Sequence, residues 1–241
     1  MILPFKNKRM VSGRWPDIMK KCGRKSRDSR LRQFYQAFPQ GHILEDVLLV
    51  ALDFETTGLN PFTDDIVSIG LVPFDLRRIY CSRSVHWLIH PRRPLAENSI
   101  IVHGITHSAI SQAPDLLSIL EDLLAALSGK IIVVHYNRIE REFLHAALLK
   151  RVGEGIRFPV IDTMDIEASL HRKKAKRRWK KRPKEAKKLV SLRLADCRER
   201  YGLPPYQAHH ALADAMATAE LLQAQVAHHY SARTSLAELL V

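Results

Sequence analysis

The sequence predicts a mixed α/β domain over residues 46–230, mainly because of the order of its apolar runs. Three short apolar runs bounded by turn residues come first, at the spacing of consecutive antiparallel strands. The later apolar runs are separated by segments with helical periodicity, as in parallel strands joined by helices. We therefore expect a mixed sheet, with three antiparallel strands followed by parallel strands, flanked by helices.

The five predicted strands are short apolar runs bounded by turn residues. In chain order they are VLLVALDF, DDIVSIGLVPF, SVHWLIHP, KIIVVHY and FPVIDTM. The predicted helices of the domain have apolar residues three and four positions apart. In chain order they are APDLLSILEDLLAALSG, which Gly129 ends, residues 138–152, SLRLADCRERYG and HHALADAMATAELLQAQVAHH.

Both ends of the chain lie outside this predicted domain. Residues 1–45 form a basic extension, in which SRDSRLRQFYQAF places Leu31, Phe34 and Tyr35 at helical spacing. We expect this short helix to dock loosely on the domain. Residues 231–241 are predicted to form a C-terminal tail.

The composition excludes several classes of protein. With 46% hydrophobic and 26% charged residues in 241, the chain can bury an ordinary core, and no apolar run approaches the roughly 20 residues of a membrane-spanning helix. Three widely spaced cysteines without a CxxC pair argue against a disulfide scaffold and a structural zinc site. Residues 1–40 lack the apolar core of a secretory signal. We expect a cytoplasmic protein with no membrane contact.

The net charge of +13 is concentrated in two segments. Residues 1–40 carry +9 and residues 172–188 carry +11, which leaves −7 for the rest of the chain. An acidic body with basic appendages suits a protein that holds cations at its site and attracts a polyanion, of which nucleic acid is the commonest. The alternative is that both segments are only solvated tails. Because its cations repel one another, we expect 172–188 to be disordered when free.

Two acids follow the first predicted strand. Asp53 and Glu55 are two residues apart in VLLVALDFETTG, so a strand projects both carboxylates from one face. Adjacent carboxylates at the end of an apolar strand repel each other unless a cation joins them. Taken alone, such a pair is common and is more often structural.

Two further acids lie on predicted helices. Glu140 shares a face with Leu144 and Leu148, and Asp214 shares a face with Leu221. A carboxylate on an inward face needs a partner, and neither face carries a Lys or Arg. Four carboxylates that converge beside a strand end would form an oxygen-rich site for Mg²⁺ or Mn²⁺.

His209 precedes Asp214 by five residues, which is about 140° around a helix, so both cannot face one point if both are helical. We therefore place His209 in the loop that enters the helix. There it is suited to act as a general base. The alternative is an ordinary exposed histidine.

Together these segments resemble the DEDDh family of 3′-to-5′ exonucleases, which includes the epsilon subunit of bacterial DNA polymerase III. The resemblance runs from about residue 47 to residue 225. Its motifs are LDFETTGLNP with the following DDIVSIGLV, the block HPRRPLAENSIIVHGITHSAI, VVHYNRIEREFL, and HHALADAMATAELL. The order and spacing of these motifs are far more specific than any one of them.

The resemblance implies a ribonuclease H-like fold and hydrolysis with two metal ions. Asp53 would bridge both ions, Glu55 and Asp214 would complete one site, and Glu140 would act at the second. The family usually has aspartate where this chain has Glu140. Glu142 lies about 200° around the helix from Glu140 and would face away, so the role falls to Glu140.

The resemblance also implies how the substrate is bound and activated. His209 would take the proton from the attacking water. The terminal sugar and base of the substrate would contact Thr56, Thr57, Leu59, His103 and Ile105.

The leading hypothesis is an exonuclease that acts on single-stranded 3′ ends of DNA. An RNA exonuclease similar to oligoribonuclease is the nearest alternative, since the motifs do not distinguish the sugars. A different class is a nucleic-acid-binding, polymerase-associated module that has lost catalysis through Glu140. Association with a DNA polymerase, recruited by the basic N-terminus, is compatible with either class.

Overall fold

The computed structural model describes residues 14–93, 104–181 and 190–241, with the backbone alone for 173–181. Its centre is a five-stranded sheet in the order β3-β2-β1-β4-β5. The strands are β1 Leu48–Thr56, β2 Ile66–Phe74, β3 Val85–Leu88, β4 Lys130–Val134 and β5 Val160–Asp162. The first three strands are antiparallel neighbours, β4 is parallel to β1, and β5 is parallel to β4. This is the predicted mixed sheet.

Helices cover both faces of the sheet. In chain order they are α1 Trp15–Lys25, α2 Ser29–Gln36, α3 His107–Ser111, α4 Leu120–Leu127, α5 Arg138–Val152, α6 Thr163–Lys181, α7 Leu194–Arg200, α8 Ala211–His229 and α9 Leu236–Leu239. Within the described chain, no helix is both long and apolar enough to cross a bilayer.

Four helices, α1, α3, α6 and α9, were not predicted, and α4 differs from its prediction. α4 begins later than its apolar pattern does, because residues 116–119 form a turn in which the Asp115 carboxylate accepts the Leu117 N–H at 2.8 Å. α6 continues through the first part of the basic segment, so residues 172–181 are helical and the expectation of disorder is wrong for them. Residues 182–188 of that segment lie outside the described residues.

The alternation along β1 separates two apolar layers. Leu52 and Phe54 belong to the layer that includes α4 and α5, whereas Leu49 and Ala51 face the layer that includes α8. Because strand residues alternate between faces, Asp53 continues the row that faces α8. The sheet therefore directs the first two acids toward the helix that carries the last one.

The two ends of the chain are built into the core. Leu31 of α2 is fully buried, and the Tyr35 hydroxyl accepts the Arg157 N–H at 3.1 Å. At the other end, Val241 and Val160 exchange backbone hydrogen bonds of 3.0 and 3.4 Å. The expectation of a loosely docked N-terminal helix is wrong, since the apolar face of α2 covers α4.

Candidate functional site

The first two acids lie at the carboxyl end of β1. Asp53 is paired with Gly70 and Glu55 with Ser68 on the neighbouring strand β2. The register shifts between Glu55 and Thr56, where β1 leaves the regular sheet. The parallel strands β4 and β5 end at the same edge, so the segments that follow them approach the two carboxylates.

The third acid is brought in by a close contact between a helix and a strand. A Cβ atom at Gly70 would lie 2.2 Å from the backbone of Ala211, the first residue of α8. Only a glycine lets the helix lie so near the strand. Asp214, in the first turn of α8, thereby comes beside Asp53 and Glu55, and one carboxylate oxygen from each of the three lies within 4.8 Å of the others.

The Asp214 carboxylate is held from two sides. The Tyr206 hydroxyl donates to its Oδ1 at 2.5 Å, and the His210 N–H donates to its Oδ2 at 3.0 Å. These bonds fix the plane of the carboxylate. Since each carboxylate oxygen has two lone pairs, both oxygens retain capacity to bind a cation.

Glu140 lies in the first turn of α5, where it is only 1% exposed. Its Oε2 atom has no hydrogen-bond partner in the described part of the chain. It is not among the three acids grouped within 4.8 Å, but its charge acts on Asp53. Glu142 instead points outward and pairs with Arg138 at 3.1 Å, as the helical geometry predicts.

A fifth carboxylate, Asp162 at the end of β5, orients the start of α5. It accepts the backbone N–H groups of Tyr136 and Asn137 at 3.1 and 2.9 Å, and that of Met164 at 2.9 Å. It therefore ties the turn before Glu140 to the start of α6. Asp162 was not among the predicted site residues, although an aspartate at the end of the apolar run FPVIDTM is a usable signal.

Three carboxylates of the cluster have raised pKa values, because they are buried close to other carboxylates. Burial raises the pKa of Asp53 well above its usual range, and the charges of Glu140, Asp214 and Glu55 raise it further. Burial and the Asp214 charge raise the pKa of Glu55 to about 7. The pKa of Glu140 is also raised well above its ordinary value, chiefly by burial and then by Asp162.

No Lys or Arg among the described residues forms an ion pair with these four carboxylates. Buried charges of one sign without a partner are costly, and a cation bound between them removes that cost. All the donors are carboxylate oxygens, which are the ligands of hard divalent cations. The residues present therefore fit a divalent metal site.

His209 lies in the loop just before α8, as predicted, where it is exposed and has a φ of 67°. Its neighbour His210 caps α8, and the His210 ring lies 4.7 Å from that of His86 on β3. His86 in turn lies 2.8 Å from the Ser68 hydroxyl. Sequence reasoning missed His86, whose place beside β2 depends on strand pairing.

The predicted substrate residues are only partly gathered at the site. Thr56 donates its hydroxyl to the Gly58 carbonyl at 2.6 Å, and the Thr57 hydroxyl is buried and accepts the Asp65 N–H at 3.0 Å. Leu59 is 85% exposed. Ile105 packs beside Val67 and Ile110, whereas His103 lies outside the described residues. Their contacts with substrate stay a prediction.

Comparison with known proteins identifies a family. The Exonuclease (RNase T) family matches residues 50–222. The PolC-type DNA polymerase III of Thermotoga maritima is 33% identical over 176 residues, which are 73% of this chain and 12% of that protein. The DNA polymerase III subunit epsilon of Treponema pallidum is 28% identical over 185 residues, which are 77% of this chain and 79% of the subunit.

Among solved structures, the nuclease domain of 3′hExo, a DEDDh family member bound to rAMP, superposes with a TM-score of 0.62 at 14% identity. The match covers 82% of this chain and 98% of that domain. At this identity the likeness establishes the fold, and it confirms the predicted ribonuclease H-like sheet.

Proposed function

Because the chain belongs to the exonuclease family, we propose that it is a metal-dependent 3′-to-5′ exonuclease that releases nucleoside monophosphates from DNA. The observation that carries the proposal is that Asp53, Glu55 and Asp214 converge with the charge of Glu140 near Asp53, and no Lys or Arg among the described residues pairs with them. A phosphodiester is itself an anion. A site of four carboxylates can receive it only when cations reverse the local charge.

We assign two Mg²⁺ or Mn²⁺ ions to the four carboxylates. Such ions would stabilise the negative charge that develops on the phosphate during hydrolysis. The charges of Glu140, Asp214 and Glu55 all raise the pKa of Asp53, so each of these acids lies near it. This proximity supports assigning Asp53 to both ions.

The general base assigned to the reaction is His209. It is exposed, and the next residue, His210, donates its N–H to the Asp214 carboxylate. A histidine in a loop at the rim of the site can reach a water molecule beside the phosphate and accept its proton. Thr56, Thr57, Leu59, His103 and Ile105 are proposed to contact the terminal nucleotide.

The sequence relatives favour DNA as the substrate, since both are named as parts of DNA polymerase III. They also support association with a DNA polymerase, and we propose a cytoplasmic location for the protein. The chain spans only 12% of the Thermotoga maritima polymerase, so the polymerase contact belongs to the proposal alone. RNA is the second candidate substrate, because the structural neighbour described above is bound to rAMP.

The test is an assay of the whole protein on matched 5′-labelled single-stranded DNA and RNA, with Mg²⁺, with Mn²⁺ and with EDTA. We expect stepwise shortening from the 3′ end in either metal and none in EDTA. Asp53→Ala should abolish hydrolysis while the circular dichroism stays unchanged, because it removes a ligand together with a buried repulsion. Glu142→Gln is the matched control and should remain active. An Asp53→Ala protein with full activity would refute the metal site.

A further inference from the structure

Tyr206 is not one of the predicted site residues, but its side chain contacts the site. Its side chain reaches from the loop before α8 to the Asp214 carboxylate and donates a hydrogen bond of 2.5 Å to Oδ1. The oxygen that accepts this bond belongs to the ligand group of the proposed metal site. The phenol is the donor of this bond, because a carboxylate oxygen accepts.

The ring of Tyr206 is itself fixed by Arg198 of α7. The Arg198 guanidinium carbon lies 4.9 Å from the centre of the ring, and the side chain is only 2% exposed. Its Nε atom has no hydrogen-bond partner in the described part of the chain. A cation over an aromatic face gains electrostatic stabilisation there in place of that hydrogen bond.

Arg198 also forms hydrogen bonds with α8 and with the loop that carries the ring. Its Nη1 donates to the Ala217 carbonyl at 2.9 Å and to Glu220 at 2.6 Å, both on α8. Its Nη2 donates to the Pro204 carbonyl at 3.1 Å, two residues before Tyr206. One buried cation therefore holds α7, α8 and the loop between them in a single arrangement.

We propose that Tyr206 is a positioning residue, which orients the Asp214 carboxylate toward Asp53 and Glu55 and thereby sets the metal affinity of the site. The inference rests on the proposed function, since it concerns the same metal site. The hydroxyl and the His210 N–H fix the two Asp214 oxygens from opposite sides. Without the hydroxyl, the carboxylate keeps one of the two bonds and can rotate about its Cβ–Cγ bond away from the other ligands.

The variant that tests this is Tyr206→Phe, which removes the hydroxyl and keeps the ring over Arg198. The chain offers a matched control in Tyr80→Phe. The Tyr80 hydroxyl donates to Asp75 at 2.6 Å, but Asp75 follows β2 about 17 Å along the strand from Gly70. Both variants lose one tyrosine-to-aspartate hydrogen bond of similar length, and only the first loses it at the site.

The measurement is Mn²⁺ binding to the full-length protein without nucleic acid, followed by the electron paramagnetic resonance signal of free Mn²⁺. We expect Tyr206→Phe to weaken binding about 10- to 100-fold, the usual effect of losing a group that orients a metal ligand. Tyr80→Phe should bind as the wild type does. In turnover assays, the Mg²⁺ concentration for half-maximal rate should rise by the same factor, while kcat at saturating Mg²⁺ is largely retained.

The outcomes separate the inference from the proposed function. Unchanged or tighter Mn²⁺ binding by Tyr206→Phe would overturn the positioning role. A loss of kcat that saturating Mg²⁺ does not restore would overturn it as well, because it would show a structural effect or a direct part in catalysis. Asp53→Asn should abolish the Mn²⁺ binding of the wild type. If the wild type does not bind Mn²⁺, or if Asp53→Asn binds it equally well, the metal site and the proposed function are both wrong.

Discussion

Glu55→Gln should stabilise the metal-free protein at neutral pH, although it removes a residue of the site. Burial and the Asp214 charge raise the pKa of Glu55 from its ordinary 4.5 to about 7. One pKa unit corresponds to about 1.4 kcal/mol. The ionisation of Glu55 therefore lowers the free energy of unfolding by about 3 kcal/mol. The side chain is partly open to solvent, which reduces the expected effect to about 2–3 kcal/mol.

The direction of the pH dependence follows from the raised pKa. Between pH 4.5 and about 7 the folded state holds a proton on Glu55 that the unfolded chain has released. The free energy of unfolding therefore falls as pH rises through this window. Glutamine does not titrate, so the advantage of Glu55→Gln should be absent below pH 4.5 and complete above pH 7.

The assay is urea unfolding in EDTA, followed by circular dichroism at pH 4.5 and pH 8. We expect the variant to be more stable than the wild type at pH 8 only. Mg²⁺ at 100 times its dissociation constant should remove most of this difference, because it adds about 2.7 kcal/mol to a protein that binds it. Glu142→Gln, which removes only a surface ion pair, should differ little at either pH. A difference of the same size at both pH values would refute the reasoning.

Three further predictions concern turnover and binding. His209→Ala should lower the rate about 10²- to 10⁴-fold with little loss of DNA binding, and equal losses of rate and binding would mark His209 as a substrate contact. Glu140→Gln should impair catalysis severely and Glu140→Asp much less. If Glu140→Gln were active and Glu142→Gln inactive, the acid of this motif would be Glu142 and not Glu140. Replacing the Lys and Arg of 172–188 with Gln should flatten the slope of log affinity against log salt on single-stranded DNA by about 3–4 units, yet leave cleavage of a saturating dinucleotide unchanged. An unchanged slope would assign this charge to solubility or transport.

The elements that local patterns determine were predictable. All five strands follow from short apolar runs between turn residues, and α5 spans Arg138–Val152 as its periodicity indicates. Gly153 ends α5 with a φ of 73°, a conformation in which glycine carries no steric cost. Glu140 was predictable for the same reason, because its inward direction depends only on its place in the helix.

The ends of the chain were not predictable in this way. The backbone of Val241 pairs with Val160, and the Leu236 N–H donates to the His42 carbonyl. Such contacts join residues far apart in sequence, and no periodicity records them. Asp162 accepts the N–H of Asn137, 25 residues earlier, and only its place at the end of FPVIDTM marks it in the sequence. Tyr206 lies eight residues before Asp214, in a loop that has no periodicity to indicate its direction.

The arrangement of the acids depends most on a residue that has no side chain. Gly70 lies in a largely apolar strand, IVSIGLVPF, where the sequence alone indicates no more than a bulge or a close approach. A methyl group there would meet the Ala211 backbone at 2.2 Å, so α8 would have to withdraw by more than about 1 Å to reach ordinary contact. Asp214 lies three residues further along the same helix and would move with it. Because a displacement of about 1 Å can cost a catalytic site roughly 10²-fold in rate, the bare backbone of β2 positions Asp214 as firmly as any hydrogen bond to its carboxylate.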